Sequence, residues 1–128
     1  MFDHLGITVT DFNRSKSFYK KALAPLSITL LTELTAADTG SHAYAGFGRD
    51  GKPFFWIGDS VAPRGTVHIA FAAPSRDDVK AFYRAALAAG ARDNGAPGPR
   101  PHYHANYFGA FVLDPDSNNI EAVCHNAE

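Results

Sequence analysis

The stretch His4–Leu23, HLGITVTDFNRSKSFYKKAL, is answered sixty-four residues later by His68–Leu87, HIAFAAPSRDDVKAFYRAAL. Laid together without gaps, the two agree at six of twenty places: His4/His68, Lys16/Lys80, Phe18/Phe82, Tyr19/Tyr83, Ala22/Ala86 and Leu23/Leu87. The physical pattern repeats along with the letters. Leu5, Ile7 and Val9 fall on one face of a strand and His4, Gly6 and Thr8 on the other, while Val67, Ile69 and Phe71 oppose Thr66, His68, Ala70 and Ala72, as the two-residue period of a pleat requires. The period then becomes helical, with Ser15, Phe18, Tyr19, Ala22 and Leu23 in one copy and Val79, Phe82, Tyr83, Ala86 and Leu87 in the other. In both copies a histidine heads the polar strand face.

Working outward, Asp11 or Asn13 is placed to cap the first helix, and Ser75 with Asp78 to form a capping box for the second. Pro25 and Gly90 end them. Extended segments follow each helix. Leu26 to Glu33, His42 to Phe47 and Pro53 to Ile57 read as strands in the first half, the last two joined by the tight turn Gly48-Arg49-Asp50-Gly51. In the second half Arg92 to Pro101 is so rich in glycine and proline that an ordered loop beside one short strand is expected. Strands resume at Tyr107 to Leu113 and at Asn119 to Cys124, across the turn Asp114 to Asn118. The predicted architecture is α+β: one domain over 1–128, built of a βαβββ module at 1–58, a linker at 59–65 carrying Pro63 and Gly65, and a second module at 66–128, forming a curled mixed sheet around a central cleft.

Composition bounds the function. Twelve Lys and Arg against 13 Asp and Glu leave no positive field for a phosphate backbone, so nucleic acid is an unpromising partner. There is no run of about 20 apolar residues to cross a membrane and no leader-like start after Met1, and the single cysteine, Cys124, fits a reducing compartment. A cytoplasmic protein is the expectation.

A pseudo-two-fold axis between the modules would set His4 and His68 opposite one another. Glu121 lies in the otherwise apolar run Ile120-Glu121-Ala122-Val123, where an unpartnered carboxylate is costly to desolvate. Two imidazoles and one carboxylate with open positions make the facial triad used for Fe(II), and the same set suits Mn or Zn. Laying the turn Asp50-Gly51 on Asp116-Ser117 places Phe55 opposite Glu121.

The strand HLGITVTD leading into Phe18-Tyr19, the mid-chain HIAF and the closing FGAFVLDPDSNNIEAV resemble the vicinal oxygen chelate superfamily: glyoxalase I, extradiol dioxygenases, fosfomycin-resistance transferases and bleomycin-binding proteins. The chain is most similar to its small glyoxalase-like bacterial members. The resemblance implies the glyoxalase/bleomycin resistance/dioxygenase fold, a divalent metal ion (Fe, Mn, Zn or Ni) held by His4, His68 and Glu121, and a homodimer. It puts Phe55 where glyoxalase I has a fourth, carboxylate ligand, which argues against lactoylglutathione lyase itself. The function implied is a metal-dependent lyase, dioxygenase or transferase acting on a small substrate that chelates the ion through vicinal oxygens. The alternative is a metal-free drug- or metabolite-binding protein of the bleomycin-resistance kind.

The segment Pro101 to Phe108 is the other dense spot. It reads either as a surface loop feeding a strand or as a source of catalytic groups: His102 or His104 as general acid or base, because an imidazole titrates near neutrality, and Tyr107 as a hydrogen-bond donor to substrate oxygen. Phe55, Trp56, Phe108 and Phe111 read as core and pocket wall, and Arg100 as an anion contact or an exposed charge.

Overall fold

A computed structural model describes residues 2–62 and 65–128; Pro63, on which the linker reading partly rests, lies outside the described residues. The chain runs β1 (Leu5–Thr8), α1 (Phe12–Ala22), a short 3-10 turn (Ala24–Leu26), β2 (Thr29–Leu34), α2 (Ala36–Thr39), β3 (Tyr44–Arg49), β4 (Lys52–Gly58), β5 (His68–Ala72), α3 (Arg76–Ala88), β6 (Arg92–Pro99), β7 (Phe108–Leu113) and β8 (Asn119–Cys124). The strands form two four-stranded sheets, ordered β1-β4-β3-β2 and β5-β8-β7-β6. In each, the first strand is parallel to its neighbour and the other pairs are antiparallel. The sheets are thus two copies of one mixed βαβββ design, and they do not close into a barrel.

Local chemistry sets the boundaries. The Asp11 carboxylate accepts from the Arg14 amide at 3.1 Å and caps α1. Ser75 accepts from the Asp78 amide at 3.1 Å, but its hydroxyl then donates to the Asp78 carboxylate at 2.9 Å, so the reciprocal bond of a capping box is not made there. The full box belongs instead to Thr35 and Asp38 at α2, a turn of helix the sequence did not announce. Pro25 sits inside the 3-10 turn, and Ser27 at φ 60° redirects the chain, so β2 begins later than the apolar run suggests. Gly90 at φ 104° ends α3 as expected.

The expectation of a loop at 92–101 is corrected: β6 is an eight-residue strand. It lies at the sheet's edge, where a proline's missing N–H faces solvent and costs no ladder bond. Gly95 at φ 148° falls where its pairing with β7 shifts register.

The core lies on the helix side of both sheets. Phe18, Tyr19 and Leu23 of the first module and Val79, Phe82 and Ala86 of the second are buried with Phe47, Phe55, Ile57, Ala110, Val112 and Ile120. α1 packs on α3, and the Phe55 ring meets Tyr19 at 4.9 Å and Phe71 at 5.4 Å, both edge-on, tying the modules together. Each such ring contributes roughly 1.5–3 kcal/mol by leaving water.

The β3–β4 hairpin turns through Asp50 and Gly51, both at positive φ, the two-residue geometry that suits the strand twist. A bulge just before it brings Gly48 so close to β4 that an added Cβ would stand 1.9 Å from the Lys52 carbonyl oxygen. Backbone cannot give way as a side chain can. Gly48→Ala is expected to cost about 2–3 kcal/mol, read as a lower urea midpoint than wild type; an unchanged midpoint would disprove the clash.

Candidate functional site

The polar faces of the two sheets are not equivalent. In the second sheet, His68 heads β5 and Glu121 lies in β8, opposite Ala70. Both side chains leave the sheet on the face away from the helices. The Glu121 side chain is 1 % exposed and that of His68 50 %. His68 Nε2 stands 3.1 Å from Glu121 Oε1.

The other imidazole nitrogen fixes what that approach means. Nδ1 lies 3.0 Å from the carbonyl oxygen of Asn119. A carbonyl can only accept, so Nδ1 carries the proton, and in the neutral ring Nε2 presents a lone pair to a carboxylate oxygen. Two acceptors at that separation require a proton or a cation between them. Adjacent ligands of an ion held at about 2.1 Å each are about 3 Å apart, so the spacing suits a shared metal, and a backbone carbonyl on Nδ1 is the customary second support of a ligating histidine. Glu121 Oε2 accepts a hydrogen bond from the Tyr107 hydroxyl. Burial, then that bond and the carboxylate's charge, push the Tyr107 phenol well above its ordinary value, so it serves as donor. An added Cβ at Gly109 would stand 3.1 Å from both Glu121 Oε2 and the Tyr107 ring, so glycine leaves the room this contact needs.

His4 stands apart from this pair. Its Nδ1 lies 2.8 Å from Asp3, which also receives Lys52 at 2.8 Å, and the imidazole is largely in solvent. Those two partners hold the Asp3 carboxyl down at about 2. The described residues contain no group of three His, Cys, Asp or Glu side chains able to hold a metal ion. Within one chain, therefore, the structure assembles two of the three expected ligands and leaves the third at the start of the other sheet.

The register corrects the assignment of Phe55. Gly6 pairs with Trp56 and Ala70 with Glu121, while Gly46 pairs with Trp56 and Phe111 with Glu121. The position equivalent to Glu121 is therefore Trp56. Phe55 turns into the core, 1 % exposed. Phe108 is likewise buried, on the α3 side, with the Arg76 and Lys80 cations over its ring at 5.0 and 5.8 Å. Of the four aromatics expected to line a pocket, only Trp56 and Phe111 share the pleat face of Glu121 or its counterpart.

Phe111 stacks with His68 at 6.3 Å between ring centres, and the Arg100 guanidinium lies 5.5 Å from the same ring, with Nη2 donating to Ala96 at 2.9 Å. Among the described residues no carboxylate lies within ion-pair distance of Arg100. His102 and His104 sit on the exposed loop between β6 and β7. His102 packs on Tyr103, Tyr103 on Tyr107, and His104 on His125, which in turn meets Tyr107 at 5.2 Å. His125, just beyond β8, carries no signal in the sequence; only the fold brings it beside Tyr107.

Comparison with known proteins agrees with this fold. The model of the glyoxalase/bleomycin resistance protein/dioxygenase superfamily matches residues 1–122. Among solved structures, a glyoxalase/bleomycin resistance protein from Albidiferax ferrireducens is similar at 27 % identity and a TM-score of 0.77, over 97 % of this chain and 98 % of that one. Glyoxalase I from Zea mays is similar at 21 % identity and a TM-score of 0.70 over 99 % of this chain; the chain spans 45 % of its length. A family enzyme from Burkholderia phytofirmans is similar at 19 % identity and a TM-score of 0.68, over 97 % and 98 % of the two chains. No curated protein matches. The repeated module, its sheet order and the match over nearly the whole length lead to one assignment: the chain belongs to the glyoxalase/bleomycin resistance protein/dioxygenase superfamily.

Proposed function

We propose that the protein is a metal-dependent enzyme, a lyase, dioxygenase or transferase, acting on a small molecule that presents two vicinal oxygens. The observation that carries this is the facing of His68 Nε2 and Glu121 Oε1 at 3.1 Å, with the remaining nitrogen and oxygen each tied by a further hydrogen bond. His68 and Glu121 would hold the ion, and His4 of a second copy in a homodimer would complete the set. Once bound, such an ion acts as a Lewis acid toward the adjacent substrate oxygens.

The chain's own residues have distinct tasks. The Asn119 carbonyl orients His68, and Tyr107 fixes the rotation of the Glu121 carboxylate. Arg100, steadied over Phe111, is the group to receive an anionic part of the substrate. His104, whose ring packs on the His125 ring beside Tyr107, and His102, beside Tyr103, would be the candidate general acids or bases.

A second reading, a metal-free binding protein, is favoured by one observation: Trp56 occupies the position whose counterpart is Glu121, so the first sheet offers an aromatic wall instead of a ligand. Elemental analysis of protein purified without chelator separates the two. The enzyme reading expects about one divalent ion per chain, lost in His4→Ala and His68→Ala. No ion in the wild type, and no uptake on adding Fe(II), Mn(II), Ni(II) or Zn(II), would leave the binding protein.

A further inference from the structure

The first sheet's open face carries two rows of paired residues: Gly6–Trp56–Gly46–Thr32, and beside it Thr8–Gly58–Tyr44–Leu34. In each row an aromatic side chain has glycine as a cross-strand neighbour. An added Cβ at Gly46 would stand 2.9 Å from the far edge of the Trp56 indole, and one at Gly58 would stand 2.6 Å from the Tyr44 ring. The glycines therefore let both rings lie down across neighbouring strands. Glycine inside a strand costs roughly 0.5–1 kcal/mol, and the fold recovers nothing for it in the core. Neither Trp56 nor Tyr44 belongs to the hydrophobic core or packs against it, and among the described residues neither meets another aromatic ring.

The two rings flank a cavity of about 210 Å³, open on one side, which also touches Gly6, Thr8, Gly58 and Ser60. An apolar cavity of about 150 Å³ is enough to take up benzene. No ionisable residue other than Tyr44 lines this one, and Thr8 and Ser60 are the hydroxyl-bearing residues among the rest of its lining. We propose that the space between Trp56 and Tyr44 is a binding site for one uncharged planar aromatic ring bearing a hydroxyl-type substituent. The wall favours a flat π-face over a saturated ring of equal size. Thr8 and Ser60 supply the polar contact that fixes the substituent, as a few placed polar groups do in small-molecule sites. The site goes beyond the proposed metal chemistry and does not depend on it.

The experiment uses the whole protein with EDTA present, so that its outcome is separate from any metal binding. Trp56 is the sole tryptophan, and its fluorescence reports directly on the site. Phenol is expected to change that fluorescence saturably, whereas cyclohexanol at the same concentrations is not. Tyr44→Leu should weaken phenol by about tenfold while Tyr44→Phe keeps it, and Ser60→Tyr, built into the cavity mouth, should block it, with circular dichroism showing each variant folded. Equal binding of cyclohexanol, or undiminished binding in a folded Tyr44→Leu or Ser60→Tyr protein, would overturn the proposal, as would no saturable response to phenol.

Discussion

Glu121→Leu is expected to lower divalent-metal affinity by about 100-fold or more and yet leave the unfolding midpoint close to wild type, while His68→Leu loses the metal and stability together. The asymmetry follows from burial. Glu121 is enclosed and His68 is half in solvent. Removing the enclosed carboxylate relieves a desolvated charge, fills its niche with a side chain of similar volume, and leaves an imidazole that water reaches; such replacements are often neutral or stabilising. The Tyr107 hydroxyl loses its acceptor but is itself partly exposed. Removing His68 instead takes away the proton or cation that Nε2 and the carboxylate share and leaves Glu121, among the described residues, with Tyr107 as its one side-chain donor, at a cost of roughly 2–3 kcal/mol, below the range for fully buried pairs because water can enter the vacated space. Metal titration and urea unfolding on both variants measure the two axes. A Glu121→Leu protein that binds metal as well as wild type, or unfolds as early as His68→Leu, would show that the carboxylate is structural.

How much of this was legible follows from what a local pattern can encode. The alternation of Leu5, Ile7 and Val9 and the stripe through Phe18, Tyr19 and Leu23 state their periods outright, and the echo at Val79, Phe82 and Leu87 doubles the signal. The caps at Asp11 and the turn at Asp50-Gly51 were equally local. β6 was hidden because glycine and proline report intrinsic preference, whereas an edge position tolerates both for a reason of topology. The exchange of Phe55 for Trp56 has a similar origin: the first hairpin has a two-residue turn and a bulge, the second a longer turn through 114–118, so aligning the turns shifts the strands by one residue. A one-residue slip reverses which face a side chain takes. Glu121 stood out because a lone carboxylate in an apolar strand needs a partner. That His68 answers it follows from the β5–β8 pairing inside the second sheet, whereas His4 stays away because it heads the other sheet, and how the two modules pack is something neither module's own sequence records.

Asp114→Ala is expected to destabilise the fold by about 3–5 kcal/mol, a loss of roughly 10–20 °C in midpoint for a chain of this length. Asp114 is 2 % exposed and accepts four hydrogen bonds: from the Tyr19 hydroxyl at 2.5 Å, the Asn118 amide at 2.8 Å, the Asn118 side chain at 2.9 Å and the Asp116 amide at 2.9 Å. Three of these shape the β7–β8 turn; the fourth crosses from the second module to α1 of the first, where Thr10 also bonds Asp116. Truncation orphans the buried Tyr19 phenol, the backbone amides of Asp116 and Asn118 and the Asn118 side-chain amide at the seam between modules. Tyr19→Phe removes only the crossing bond and should cost about 1–2 kcal/mol. The same pair predicts a pH signature. Burial first, then the Asp114 charge and hydrogen bond, raise the Tyr19 phenol well above its ordinary value in the folded state. The folded chain then keeps a proton that the unfolded chain releases near pH 10, so this contribution is complete below about pH 10 and declines as the pH climbs toward the raised folded value. Tyr107 adds a limb of the same sign, so the difference between wild type and Tyr19→Phe isolates the seam. Urea unfolding at neutral and alkaline pH measures it: the wild-type advantage over Tyr19→Phe should shrink above pH 10, and a constant advantage would mean that the phenol ionises no later in the folded chain than in the unfolded one.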